Sequence, residues 1–253
     1  MAETDPQEIL AQARRYAEDL TLFEGRHFIV PEEVVEQASG LGEEETSTSE
    51  DTSAAEPAER ESVVASDEGL TLDAFREEIC TCTRCPLGAT RNQFVFGSGD
   101  PNAGIMFVGE APGADEDQSG LPFVGAAGQL LTRIIEAMGL SREEVYICNI
   151  LKCRPPGNRD PQPEEIAQCE PYLKRQIDLV QPRVLCTLGR FAAQTLLRSD
   201  LTMGRLRQSE HRYEGIPLVA TYHPAALLRN PQWKRPTWED IKKVRRLYDG
   251  VAL

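Results

Sequence analysis

The sequence predicts an α/β fold, a three-layer α/β/α arrangement around a central four-stranded parallel sheet. Three observations carry that expectation. Apolar runs of strand length recur at 105–108, 145–149, 182–188 and 216–221. Segments with helical apolar spacing alternate with them, which is the pattern of a parallel sheet covered on both faces. The first run also feeds a long loop that carries Gly109, Gly113, Gly120, Gly125 and Gly128 and ends at a helix start. Open parallel sheets bind ligands at such loops, outside the carboxyl ends of their strands.

Taken in order, residues 5–23 place Ile9, Leu10, Ala13, Tyr16, Ala17 and Leu20 near one helical face. Residues 1–37 are therefore expected as an amino-terminal helical segment. Its apolar stripe either packs on the main domain, the commoner fate of such stripes, or docks a protein partner. Residues 38–69 are rich in Glu, Ser, Thr and Ala and hold no aromatic residue. Such a composition cannot bury enough apolar surface to offset chain entropy, so an acidic disordered linker is expected there. The main domain is expected over 70–253. Leu72, Phe75 and Ile79 make a short helix that runs into Cys80-Thr-Cys-Thr-Arg-Cys-Pro86, and Gly97-Ser-Gly-Asp-Pro101 reads as a turn. The 105–108 strand, the glycine-rich loop and a helix to Met138 follow. A loop with three prolines runs from Lys152, and Pro163-Glu-Glu opens a helix with the favoured proline and acidic first turn. Gly189 begins the next helix, Tyr222-His-Pro follows the fourth strand, and Trp238 to Tyr248 make the last helix.

Composition narrows the function. The chain has 253 residues and 40% hydrophobic content, enough for a core. No run approaches the roughly 18 apolar residues of a membrane span, and the acidic start Met-Ala-Glu-Thr-Asp lacks a signal peptide's basic start and apolar core. A cytoplasmic protein without membrane association is expected, and a monomer. The net charge of −14 is unevenly placed: residues 1–70 hold 4 Lys/Arg against 19 Asp/Glu, and residues 71–253 hold 23 against 22. The domain is thus balanced and can carry a basic face for nucleic acid.

Seven cysteines in a cytoplasmic chain point to metal binding or buried thiols rather than a disulfide framework. Cys82 and Cys85 form a C-x2-C pair, and Cys153 and Cys169 a second pair from a distant segment. Four thiolates suit zinc or an iron–sulfur cluster equally by ligand type, and the prolines after Cys85 and Cys153 lean toward the cluster. Cys148 and Cys186 lie inside apolar strands and read as buried thiols. Cys80 is an alternative ligand. The strand ends carry a second constellation: Glu110, Asn149 and His223 follow three of the strands and share one edge of a parallel sheet. Asn presents a donor and an acceptor in one plane, which suits the edge of a nucleobase. A histidine there can donate to an oxygen that becomes negative in a transition state.

These residues carry a resemblance. Gly109-Glu-Ala-Pro-Gly113 with Glu116-Asp117 and Pro122-Phe-Val-Gly125 closely resembles the first motif of family 4 uracil-DNA glycosylases. Asn149-x-x-Lys-Cys-Arg-Pro-Pro-x-Asn-Arg159 and His223-Pro-Ala-Ala-Leu-Leu-Arg229 resemble its later motifs. The match runs from about Cys82 to Tyr248, with the motifs in order. The resemblance implies the uracil-DNA glycosylase-like fold. It also implies an enzyme that flips uracil out of DNA and hydrolyses its N-glycosidic bond, leaving an abasic site for base excision repair. It implies a [4Fe-4S] cluster held by Cys82, Cys85, Cys153 and Cys169. It implies uracil contacts from Gly109, Glu110, Ala111, Phe123, Asn149 and His223, with Phe123 stacking, Asn149 reading N3 and O4, and His223 donating to O2. The Asp that steers water in better-known uracil glycosylases is replaced by Ala111, which leaves Glu110 or the Glu116–Asp117 pair as the catalytic carboxylates. No Lys-Arg-Arg-Ile-His insertion is present, so turnover without a covalent link to DNA is expected. Phosphate contacts fall to Arg154, Arg159 and Arg229, with Lys152, Lys234, Arg235 and the basic side chains of the last helix as further candidates. The alternative reading is a non-catalytic iron–sulfur or zinc nucleic-acid-binding module on the same fold, or a zinc enzyme.

Overall fold

The computed structural model describes residues 70–250, so the amphipathic segment and acidic linker expected in 1–69 lie outside the described residues. The strands are β1 (Ser98–Gly99), β2 (Ile105–Gly109), β3 (Tyr146–Asn149), β4 (Val184–Leu188), β5 (His211–Tyr213) and β6 (Ile216–Thr221). They form one sheet in the order β1-β3-β2-β4-β6-β5. The sheet thus has six strands, not the four expected. Its centre, β3-β2-β4-β6, is parallel and contains the four expected runs. The additions are short antiparallel edges. β1 has two residues and lies inside the stretch read as a turn. β5 returns to β6 through Glu214 and Gly215, both at positive φ (48° and 88°). That backbone suits a two-residue hairpin, but Glu-Gly lacks the Asn or Asp that announces one.

The helices are α1 (Leu72–Ile79), α2 (Ala114–Ser119), α3 (Ala126–Ala137), α4 (Pro163–Val180), α5 (Arg190–Leu197), α6 (Met203–Gln208), α7 (Pro224–Arg229) and α8 (Lys234–Tyr248). Side chains alternate across a strand, so each strand supplies both cores. Met106, Val108, Cys148 and Leu185 meet Phe75 of α1, Leu173 and Ile177 of α4 and Leu196 of α5. Ile105, Phe107, Ile147 and Cys186 meet Leu131 and Ile135 of α3 and Ile241 and Val244 of α8 on the other face. Burial on both faces explains why β2, β3 and β4 read as continuous apolar runs rather than alternating ones. α8 starts four residues before the expected Trp238 because Pro236 falls in its first turn, where a missing N–H costs no helical bond.

One ion pair ties the last helix to the sheet beside the strand ends. Asp240 of α8 accepts from Arg207 Nε at 2.5 Å and from Thr221 Oγ1 at 2.7 Å, and its side chain is 2% exposed. Thr221 ends β6, two residues before His223. Removing one partner of a buried pair leaves the other charge uncompensated. Asp240→Ala is expected to lower the unfolding free energy by about 3 kcal/mol, measured by urea denaturation, with Asp240→Asn losing less because Thr221 and Arg207 keep an acceptor.

Candidate functional site

At the carboxyl ends of the parallel strands lies a cleft of about 400 Å³. Its walls bring together Glu110, Ala111, Glu116, Phe123, Asn149 and His223. β2 and β3 are in register so that Gly109 lies beside Asn149. A Cβ on Gly109 would come within 2.3 Å of Asn149 Oδ1 and 2.5 Å of the Phe123 ring. The glycine therefore makes the space in which the amide and the ring sit. Asn149 is 1% exposed, and its Oδ1 is buried with no hydrogen-bond partner. A buried acceptor without a donor costs about 1–3 kcal/mol, and no group of the described residues donates to this oxygen.

Phe123 is held with equal force. Its φ is 52°, a region that a non-glycine residue seldom adopts and that collects at ligand sites. Glu116 maintains it: one carboxylate oxygen accepts from the N–H groups of Val124 and Gly125 at 2.9 and 3.0 Å, and the other from Gly113 at 3.0 Å. Glu116 was expected as a catalytic carboxylate. It lines the cleft and, with three main-chain donors, also clamps the loop. Asp117 is spent likewise, on Asn92 and Gln93. Glu110 and the more exposed Asp160 are the other acids that line the cleft. Burial, and then Asp160 nearby, push the Glu110 carboxyl up to about 7.

His223 caps α7, with Nδ1 accepting from the Ala225 N–H at 3.1 Å. That bond places the ring proton on Nε2. Burial, and then the Arg229 charge, pull its pKa down to about 4, so the imidazole is neutral at pH 7. Its ring lies 5.5 Å from that of Phe123. Gly189, at φ 90°, lets β4 turn under it: a Cβ there would stand 3.0 Å from the His223 Cβ.

Beside the cleft, on the α1–α4 face, Cys82, Cys85, Cys153 and Cys169 pack into one core, all as free thiols. Donors converge on three of the sulfurs. Arg91 reaches Cys153 Sγ and Tyr172 OH reaches Cys82 Sγ, each at 3.3 Å, and the Lys152 N–H reaches Cys169 Sγ at 3.3 Å. Cys80 points away, donating to Glu77 O on the surface, and Cys148 and Cys186 are fully buried in the sheet. No three His, Cys, Asp or Glu side chains among the described residues are arranged around a single metal ion.

The expected phosphate contacts divide. Arg229 is exposed on the cleft rim. Arg159 lines the cleft but is bound bidentately to Glu165, and Arg154 holds Asn158 Oδ1 at 2.7 Å. Lys152 is not a surface cation at all: it is completely buried. On α8, Lys242, Lys243 and Arg245 are each engaged by neighbours. Arg91 and Tyr172 lie outside the motifs, and Asn158, which lines the cleft, stands within the Asn149–Arg159 motif but had no role assigned to it.

Residues 96–242 match the Uracil DNA glycosylase superfamily. The chain is 31% identical over 216 residues to the type-5 uracil-DNA glycosylase of Thermus thermophilus, covering 69% of this chain and 95% of that protein. Its similarity to type-4 enzymes is higher. It is 46% identical over 185 residues to the type-4 uracil-DNA glycosylase of Archaeoglobus fulgidus, covering 70% of this chain and 93% of that protein. For the type-4 enzyme of Thermotoga maritima the identity is 40% over 178 residues, covering 69% and 93%. The chain belongs to the type-4 uracil-DNA glycosylases. The superfamily match takes in the whole cleft of this type-4 glycosylase, from β2 to α7, and begins after Cys82 and Cys85.

Gly109→Ala tests the packing directly. The added methyl must displace the Asn149 amide or the Phe123 ring, so kcat/KM for uracil release is expected to fall by about a hundredfold or more, while circular dichroism stays that of the parent.

Proposed function

We propose that this chain removes uracil from DNA by hydrolysing the N-glycosidic bond, as the uracil-DNA glycosylases it belongs to are named for doing. The observation that carries this reading is Asn149, whose Oδ1 is buried without a partner and which lines a cleft of about 400 Å³, room enough for a flipped nucleobase. Uracil must leave the stack to reach it. Phe123, already locked beside the cleft, offers a face for the flipped base, worth about 1–3 kcal/mol in such stacks. Asn149 Oδ1 accepts from uracil N3–H and its amide donates to O4. Cytosine presents the opposite pattern at both positions, and a held amide rejects it.

Bond breaking then puts negative charge on the uracil ring and positive charge on the sugar. The neutral His223, with its proton on Nε2, donates to O2 as that charge grows. A positioned donor of this kind is worth about 2.7–4 kcal/mol. Position 111 is alanine and carries no acid. Glu110, ionised above about pH 7 and set deeper in the cleft than the exposed Asp160, favours the cationic sugar and orients the water that adds at C1'. Arg229 on the rim is the phosphate contact best placed by exposure, and Arg154 and Arg159 reach phosphate only by giving up part of their present partners.

The four cysteines fit an iron–sulfur cluster. Donors aimed at Cys82, Cys153 and Cys169 suit thiolate ligands. Burial pushes the Cys169 thiol up to about 11, so without a bound group it keeps its proton at neutral pH. Cys82, Cys85, Cys153 and Cys169 would hold the cluster, and when bound a [4Fe-4S] group would supply a cross-link between the α1 segment, the β3 loop and α4.

Purified anaerobically, the protein is expected to carry four irons and to cleave oligonucleotides at uracil after alkali treatment of the product. His223→Ala should lower single-turnover excision by about 10²–10³-fold. Absence of excision from iron-loaded protein would overturn the reading. The pH profile is a second test. Glu110 has a raised pKa and is ionised only above about 7, whereas His223, near 4, stays neutral throughout. kcat/KM should therefore rise with pH through about 7 and level off, and Glu110→Gln should abolish that limb.

A further inference from the structure

Lys152 stands between the cleft and the four cysteines. It is 0% exposed, and its ammonium donates to the Asn149 carbonyl oxygen at 2.6 Å and to Gln176 Oε1 at 2.5 Å. Gln176 is itself completely buried and is anchored by donating to Phe96 O and Tyr146 OH at 2.9 and 3.1 Å. The main chain of Lys152 is tied as well, its N–H to Cys169 Sγ and its carbonyl to the Val95 N–H. Cys169 and Gln176 lie seven residues apart on α4, two turns along one helix face. One residue therefore grips that face twice, at a cysteine and at a glutamine, and holds Asn149 between them.

The choice of lysine needs a reason. Burying an ammonium costs several kcal/mol when no opposite charge compensates it, and both acceptors here, a main-chain carbonyl and a side-chain amide, are neutral. An uncharged side chain would fill the volume at lower cost. What it could not do is place two strong donors on the Asn149 carbonyl and on α4 at once. An anionic metal–thiolate group held by the four cysteines, of which Cys153 follows Lys152 directly, would supply the balancing charge.

We infer that Lys152 is a positioning residue for uracil recognition, holding the Asn149 main chain so that its side-chain amide meets the base, and making that placement depend on the four-cysteine segment through Cys169. This rests on the uracil-releasing function proposed above. The loop from Asn149 to Lys152 also carries Ile150 and Leu151, whose N–H groups donate to Gly109 O and Glu110 O at 3.0 Å. Releasing Lys152 thus loosens the frame of the cleft from beneath, with no substrate contact removed.

The test compares Lys152→Met with the parent holoprotein in iron content, affinity for uncleaved single-stranded DNA, inhibition by free uracil and single-turnover excision. Iron content and DNA affinity are expected to stay within about twofold, while excision falls about tenfold or more and free uracil inhibits correspondingly less. In an Asn149→Ala background the same substitution should add little, because Lys152 acts through Asn149. Unchanged excision and uracil inhibition in iron-loaded Lys152→Met would overturn the inference. So would weaker DNA binding with a salt slope reduced by about one, the mark of a phosphate contact. If Lys152→Met does not fold, Gln176→Leu takes its place: it detaches the ammonium from α4 and should lower excision with iron retained, and unchanged excision there is equally contrary. A parent protein that releases no uracil fails the functional reading itself, and an active parent with an indifferent Lys152 fails only this one.

Discussion

A carbonyl oxygen left buried without a donor destabilises a protein by about 1–3 kcal/mol, and most of the site can be understood as what keeps Asn149 Oδ1 in that state. The surroundings deny it relief. Gly109 presses from the neighbouring strand with no side chain, the Phe123 ring closes the adjacent space, and Lys152 holds the main chain from below. Each of these is costly in its own way: a positive φ at Phe123, a buried ammonium at Lys152, a glycine inside a strand. Costs of this kind persist where the surrounding structure over-determines them, and they gather where a ligand repays them. A flipped base with an N–H at the right place is such a ligand.

The same economy explains the acids. A loop with so many carboxylates reads as a catalytic cluster, yet Glu116 and Asp117 serve the backbone, satisfying N–H groups that a compact loop would otherwise bury without partners. Glu110 differs because no main-chain donor neutralises it, and its burial lifts its pKa into the range where a proton is gained or lost near neutrality. His223 is shifted the opposite way by the same burial, since desolvation disfavours whichever form is charged. One cleft therefore keeps an imidazole neutral and makes a carboxylate reluctant to ionise. The neutral imidazole suits a base that departs as an anion, while Glu110 serves a cationic sugar only once it is ionised, above about pH 7.

Much of this was legible in the sequence, for reasons that can be named. Four apolar runs separated by helical periods impose a parallel sheet, and a parallel sheet puts Glu110, Asn149 and His223 on one edge. Spaced cysteines outside the strands separate from the cysteines within them, as Cys148 and Cys186 bear out by their burial. What was hidden was whatever depends on direction rather than spacing. Lys152, beside Arg154 in a polar loop, looks like a phosphate contact until the fold turns it inward. Arg91 lies outside every motif, yet packs against Cys153. β1 and β5 are too short for any periodicity to register, and their existence follows from tertiary pairing with β3 and β6.

The central claim is that Asn149 waits, already oriented, for the edge of uracil. A crystal structure of the protein with free uracil in the cleft tests it most directly. The account predicts Asn149 Oδ1 within hydrogen-bond distance of uracil N3, the ring of Phe123 against the base, and His223 Nε2 facing O2, with the Asn149 side chain in the same rotamer as without ligand. Uracil bound with its N3 edge toward another group, or an Asn149 amide that must swing to reach it, would contradict the account.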